Sequence, residues 1–386
     1  MSRHRIGAKD GAKLARNWRK TGAKWREMWY NADMNYLPQY TINEKIKSNL
    51  QEIERLKDAV RGSRILPEVE ASIRLRASVE AVHSSTSIEG NPLSANEVRA
   101  IIASDKILSK EEYAEIEVQN YKKALDYIDE RRHGDFEITL KDILELHRII
   151  TNRLLDKTRN GKIRKNPVYI ENQDHEILYT AIEAEKVEGA LNELLSWVNT
   201  SQFSIHPVIV AAIIHLRIAA IHPFADGNGR TARALTSLFL ALNQYDCNGA
   251  LVLDSYYASD CKAYYAILRL LCGKNYAFSV KSDLTPWLEY FTDGFLTSLH
   301  VLDAEIRMLN LAIADRGATL SGRENQDILS YVSKVGSISI SEAEEILPGV
   351  SRRSIQRRLK QLVDEGYLEL VGETREAKYI LKNEDN

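Results

Sequence analysis

The run His222-Pro-Phe-Ala-Asp226-Gly227-Asn228-Gly229-Arg230-Thr231-Ala-Arg233 gathers a titratable base, a hard oxygen ligand, a glycine-rich turn and two guanidinium groups into one short stretch. Gly227, Asn228 and Gly229 favour positive φ, which would turn successive N–H groups toward one point as a nest for an anion. Asp226 offers a carboxylate suited to Mg²⁺ bridging phosphates, and Arg230 and Arg233 can make forked bonds to phosphoryl oxygens. His222, with an unperturbed pKa of about 6.5, can take a hydroxyl proton near neutral pH. Together these describe a phosphate-chemistry site. A zinc pair of His222 and Asp226 one helical turn apart is the rival, and Pro223 and Gly227 argue against the continuous helix it needs.

Such a site needs rigid elements on both sides. Thr231 to Leu242 reads as an apolar-faced helix whose free N-terminal N–H groups and dipole would reinforce the anion nest. Upstream, Pro207 to Ile221 is apolar nearly all round, as suits a helix at the centre of a bundle. His215 inside it and His206 before it read as packing histidines. Helical length and periodicity also mark Ile42–Val60, Glu68–Ile88, Lys110–Arg131, Lys141–Leu155 and Glu185–Trp197, so the body is expected to be an all-α bundle.

The signature H-P-F-x-[DE]-G-N-G-R-x-x-R is matched from His222 to Arg233 at every specified position, and in this the chain resembles the Fic family. The resemblance implies transfer of AMP from ATP, with Mg²⁺, onto a Ser, Thr or Tyr hydroxyl of a target protein and of the chain itself. By position, His222 would be the base and Asp226 the metal ligand. Gly227, Asn228, Gly229 and Thr231 would line the nucleotide site, with Arg230 and Arg233 on the outer phosphates. The implied fold is a helical bundle carrying a small β-hairpin flap, and relatives often form homodimers.

Ser85-Thr-Ser-Ile-Glu89-Gly90-Asn91 reads locally as a helix end: Gly90 sits at the C-terminal position, Pro92 blocks continuation, and Ser94 with Glu97 caps the next helix. The segment also matches the family's inhibitory motif at Ser85, Glu89 and Gly90. That likeness implies a buried bidentate pair between Glu89 and Arg233, which must rearrange before ATP binds productively. Asn160-Gly161 and the alternation through Ile170 suggest a turn and a short ribbon, the one convincing β-signal in the first three hundred residues. An exposed ribbon edge can recruit an extended peptide. The family's flap docks the target at this place, which would assign Gly161, Ile163, Arg164, Val168 and Ile170 to that role. Relatives use the stretch containing Tyr264 and Tyr265 to contact adenine, although paired aromatics at helical spacing are commonly core.

Past Arg316, Gly317 to Gly322 reads as a linker. A helix Glu324–Val335 follows, then a strand Ile338–Ile340, a helix capped by Ser341 with Glu344, a turn at Pro348-Gly349, a helix from Ser351 to Asp364, and strands Leu368–Val371 and Lys378–Leu381. The pattern resembles a winged helix-turn-helix. Arg352, Arg353, Gln356, Arg357 and Lys360 cover one face of its second helix and could enter a DNA major groove, while docking to protein is the other use of such modules.

Composition limits the remaining classes. The chain has 386 residues with 44% hydrophobic and 27% charged content, and its net charge of −2 gives no general attraction to nucleic acid. Three cysteines, Cys247, Cys261 and Cys272, lack metal or disulfide spacing, and neither signal peptide nor membrane span is evident, so a cytoplasmic setting is expected. The expected organisation is a basic, aromatic arm (1–40), an N-terminal helical region with the inhibitory helix (41–135), the catalytic domain and following helices (136–316) and the winged helix (323–386). The leading reading is a protein adenylyltransferase restrained by Glu89. The alternatives are a nucleotide-sensing transcription regulator that binds DNA, or a variant that removes AMP or transfers phosphate.

Overall fold

The computed structural model describes residues 36–62, 67–104, 112–171, 176–315, 323–372 and 377–382. The expected arm lies outside them apart from residues 36–40, as does the linker 317–322. In chain order the helices are α1 (Glu44–Gly62), α2 (Pro67–Ile88), α3 (Ala95–Ser104), α4 (Glu112–Arg131), α5 (Leu140–Ile150), α6 (Val187–Ser201), α7 (Pro207–Ile221) and α8 (Asn228–Leu242). They continue as α9 (Asp254–Ser259), α10 (Cys261–Cys272), α11 (Tyr276–Lys281), α12 (Thr285–Asp315), α13 (Arg323–Val335), α14 (Ile340–Ile346) and α15 (Arg352–Asp364). Two antiparallel hairpins complete the chain: β1 (Tyr169–Glu171) with β2 (Ile177–Thr180), and β3 (Leu368–Val371) with β4 (Lys378–Leu381).

Helix α7 is the axis of the bundle because it has no polar face to turn outward. Val208 through Ile218, with Ala220 and Ile221, are all buried, and α8 packs along it. Its start is held by Pro207 at the first turn and by His206, whose Nδ1 accepts from the Val208 N–H at 3.2 Å. Backbone carbonyls along it receive the Trp287 indole N–H (Ala212, 2.7 Å) and the Tyr179 hydroxyl (Ala220, 2.6 Å).

Helix α2 is buried on two sides for a reason visible in its spacing. Val69, Ala71, Ile73, Leu75, Ala77 and Val79 are all at most 5% exposed. In a helix, steps of two residues rotate by about 200°, so this run points alternately to opposite faces. Helices α4, α9 and α13 all pack on α2, and the described residues from Pro38 onward belong to one compact unit. The module α13–β4 is therefore seated on the helix that carries Ser85 and ends at Ile88.

Local rules misplaced some boundaries. The helix expected over Lys141–Leu155 ends at Ile150, where the Thr151 hydroxyl donates to the His147 carbonyl at 2.7 Å and Arg153 takes φ 63. The ribbon begins at Tyr169, and Asn160-Gly161 forms a turn docked on α5 through Asn160 Nδ2 to the Arg148 carbonyl at 2.9 Å. The capping box of α14 is Ser339 with Glu342, two residues earlier than read, and Ile338 makes only an isolated bridge to Tyr379.

His215 lies in the core with Nε2 2.8 Å from the Tyr264 hydroxyl and its ring edge-on to Tyr257. Burial pushes its pKa down to about 3. An unfolded imidazole takes up a proton as pH falls through about 6.5, whereas the folded one does so only near 3. Its contribution is therefore complete above the unfolded pKa and declines as pH falls toward the folded one. Moving from about pH 7.5 to about pH 5 should cost on the order of 2 kcal/mol of stability through this residue, read as a lower denaturant midpoint. His215→Gln should flatten that slope; an equal slope in the variant would remove His215 as its source.

Candidate functional site

The end of α7 places the candidate base. His222 is the C-terminal cap in the left-handed conformation (φ 51, ψ 60), and its N–H bonds to the Ile218 carbonyl at 3.0 Å. A side chain beyond Cβ is strained there, so other contacts must hold it. Arg164 supplies them: its N–H donates to the Pro223 carbonyl at 3.0 Å and its Nε to the His222 carbonyl at 2.8 Å. Its other nitrogens reach the carbonyls of Asn166 and Ile182. The His222 Nδ1 lies 3.3 Å from the Ala219 carbonyl. A carbonyl only accepts, so this contact puts the proton on Nδ1 and leaves the Nε2 lone pair available. Burial lowers the His222 pKa, which keeps the ring neutral.

The loop after His222 is braced from below by His147, which sequence reading missed. Phe224 stacks on the His147 ring at 3.7 Å with the planes 5° apart. The His147 Nδ1 accepts from Gly161 N–H at 3.0 Å, so its Nε2–H donates to the Asp226 carbonyl at 3.1 Å. Burial takes its pKa to about 4, so it stays neutral in this double role. One imidazole thus ties the start of the flap segment to the loop bearing Asp226. No local pattern singles out a histidine on an amphipathic helix for this, and only its partners from two distant segments identify it.

The anion cradle is tighter than the expected nest. Gly227 alone has positive φ (76) and caps α8, which begins at Asn228, three residues earlier than read. A Cβ at Gly227 would stand 2.8 Å from the Thr151 methyl. The Asn228 side chain is engaged with Phe224 in both directions, at 2.9 Å and 3.0 Å, leaving its backbone N–H rather than its amide for an anion. Thr231 is fully buried and its hydroxyl donates to the Gly227 carbonyl at 2.8 Å, so it braces the turn and has no free group for nucleotide. Asp226 remains exposed, its Oδ1 accepting from Gly227 N–H at 2.6 Å.

An anion already lies over this cradle. A Cβ built at Gly229 would meet Glu89 Oε1 at 2.2 Å, so the carboxylate sits against the first turn of α8. Glu89 Oε1 also accepts from Arg233 Nη2 at 2.8 Å. The expected bidentate pair is not formed. Arg233, 1% exposed, uses Nε on the Ser85 hydroxyl at 2.7 Å and Nη2 also on the Ser85 carbonyl at 2.8 Å. Ser85 is thus as much a partner of Arg233 as Glu89 is. Gly90, at φ 93, turns the chain away.

Tyr264 is 2% exposed and bonded to His215, so it is core and offers no face to a base. The Tyr265 hydroxyl donates to the Ile88 carbonyl at 3.2 Å, fastening the end of α2, while its ring stays 37% exposed. Of the residues assigned to target docking, Gly161 and Arg164 belong to the bracing beneath His222, and Ile163 and Val168 precede the strands half-buried. Ile170 is on β1, and it, Tyr169 and Ile177 are exposed apolar side chains on the hairpin. Arg352, Arg353, Gln356, Arg357 and Lys360 are all exposed on α15, and Arg352 Nη1 pairs with Glu344 at 2.6 Å. The zinc rival needs a continuous helix through His222 and Asp226, whereas α7 ends at Ile221 and α8 begins at Asn228. Among the described residues there is no group of three or more His, Cys, Asp or Glu that could hold a metal, and no helix long and apolar enough to cross a membrane.

Comparison with known proteins gives a consistent result. Protein adenylyltransferase fic-1 of Caenorhabditis elegans is 34% identical over 165 residues, covering 41% of this chain and 31% of that protein. Protein adenylyltransferase Fic of Drosophila erecta is 27% identical over 298 residues, covering 72% of this chain and 54% of that protein. The chain thus spans about a third to a half of the length of the curated relatives it matches. A Fic family protein from Desulfovibrio desulfuricans G20 shares the fold, with a TM-score of 0.59 at 20% identity over 91% of this chain and all of that one. A segment of Fic-1 from C. elegans superposes with a TM-score of 0.54 at 26% identity, covering 69% of this chain and 73% of that one. Residues 137–240, from the start of α5 nearly to the end of α8, match the Fic/DOC family.

Proposed function

We propose that this protein is a nucleotidyltransferase that moves AMP from ATP to a hydroxyl side chain of a target protein and of itself, and that Glu89 restrains it. The observation that carries the reading is a neutral imidazole with Nε2 free, beside a helix N-terminus over which a carboxylate already lies. The cradle suits the polyphosphate of ATP, and the exposed Asp226 carboxylate suits a divalent cation such as Mg²⁺. When bound, the cation would offset the negative charge of the phosphates.

The chain's own groups account for the transfer. His222 Nε2 takes the proton of the attacking hydroxyl as its oxygen bonds to the α-phosphorus; the bond from that phosphorus to the bridging oxygen breaks, and pyrophosphate leaves. The N–H groups opening α8 face the phosphoryl oxygens on which charge gathers. Glu89 occupies this position in the described state, so nucleotide must displace it from Arg233 and from above Gly229. The exposed apolar side chains of the hairpin, Tyr169, Ile170 and Ile177, support recruitment of an extended target segment.

Incubation with α-labelled ATP and Mg²⁺ should label the chain itself. His222→Ala should lower labelling by about 10²–10⁴-fold, and Glu89→Gly should raise it on the order of tenfold or more. Pyrophosphate, not ADP, should be released; ADP would assign phosphate transfer instead. With the His222 pKa lowered by burial, the acid limb of the rate profile in Glu89→Gly should lie below the usual imidazole pKa of about 6.5. A limb above that value would show that the base is a different group.

A second reading, regulation through DNA, is favoured by one observation: Arg352, Arg353, Arg357 and Lys360 share an exposed face of α15, which follows α14 across a short turn. Binding of a DNA fragment by the full chain should then weaken steeply with salt and be lost in Arg353→Ala with Arg357→Ala. Retention by the double variant would dismiss that face as the contact.

A further inference from the structure

The first arginine of the signature run has its own carboxylate, from outside every motif recognised above. Glu117 on α4 is 6% exposed, and its Oε1 accepts from Arg230 Nη1. Its other oxygen, Oε2, accepts from Asn91 Nδ2 at 2.6 Å. Asn91 follows directly on Glu89 and Gly90. It is fixed there by its N–H to the Thr86 carbonyl at 3.1 Å and by Nδ2 to the Ala114 carbonyl at 3.0 Å. The two oxygens of one buried carboxylate therefore hold the catalytic helix α8 and the turn that carries Glu89.

Arg230 is not saturated by this arrangement. It is 4% exposed, its Nε has no hydrogen-bond partner, and its Nη2 is 4.0 Å from Asp226. Beside it opens a cavity of about 210 Å³ lined by Glu89, Asn91, Tyr113, Glu117, Asp226 and Arg230. A guanidinium in contact with a buried carboxylate shows little net charge to an incoming anion, and that anion also meets the repulsion of the carboxylate.

We propose that Glu117 is a positioning residue for the polyphosphate: it occupies Arg230 until phosphate replaces it, and through Asn91 that replacement loosens the Glu89 turn. The inference rests on the nucleotidyl-transfer reading. It makes Glu89 and Glu117 two coupled restraints on two neighbouring arginines, joined by a single asparagine. The first acts through Arg233 and Gly229, the second through Arg230.

The test measures dissociation constants of Mg·ATP and of AMP by calorimetry, using the full chain in a His222→Ala background to prevent turnover. Glu117→Gln removes the charge and retains one of the two acceptors, because its amide nitrogen cannot accept from Arg230 or Asn91, and should tighten Mg·ATP on the order of tenfold while AMP changes little. Glu89→Gly should also tighten it, and the double variant should gain less than the product of the two, because both release the same turn. Glu117→Asp keeps the charge and should not reproduce the gain. The proposal is overturned if Glu117→Gln leaves Mg·ATP affinity unchanged or weaker, if the two gains multiply fully, or if Glu117→Asp matches Glu117→Gln, which would indicate simple loosening. Absence of Mg·ATP binding even in Glu89→Gly would instead fault the nucleotide reading of the site.

Discussion

The buried guanidinium of Arg233 is the constraint around which the N-terminal helices and α8 are arranged. An ion removed from water costs several kcal/mol unless it is paired and hydrogen-bonded, and Arg233 projects from α8 into the space between α8, α2 and α9. Ser85 and Glu89 at the end of α2 meet it. Further charge lies nearby in Asp254, whose carboxyl is raised in pKa by burial and accepts from the Tyr121 hydroxyl at 3.0 Å. Pairing this charge therefore seats the end of α2 over the first turn of α8. The restraint proposed for the site and the stability of the fold would share the same contacts.

The loop bearing the site is held mainly through its backbone. Arg164 grips the carbonyls of His222 and Pro223 or their neighbours, Asn228 closes on Phe224, Thr231 on Gly227, and His147 on Asp226. These contacts leave the His222 Nε2 without a partner among the contacts described and the Asp226 carboxylate exposed while fixing where each points. Such preorganisation suits chemistry in which positioning and electrostatics supply most of the rate. It also explains why several residues of the run that sequence alone assigns to a ligand turn out to hold the loop itself.

The C-terminal module adds a second contact on α2. With α13 packed on α2 and Gly336 against Ile102 of α3, the module covers apolar positions that spacing in α2 presents to both sides. A helix packed on both sides has less freedom to shift than one lying on a surface. The register of Glu89 over Gly229 is thus supported from outside the site as well as within it.

Much of this was legible in the amino-acid order. The twelve-position run brings an imidazole, a carboxylate, a glycine turn and two guanidinium groups to one loop and helix start, and the apolar circumference of α7 announces a buried axis. Caps and turns at Ser94, Gly90 and Ser351 follow from local hydrogen bonding. What folding alone decided are partnerships across long separations: His147 under Asp226, Arg164 under His222, Glu117 on Arg230, Tyr264 in the core. Local propensity acts over a few residues, whereas these pairings depend on which side chains are left facing one another once the helices have packed. A residue's type can be read from the chain, but whether its polar atoms remain free for a ligand depends on neighbours that only the tertiary structure brings near.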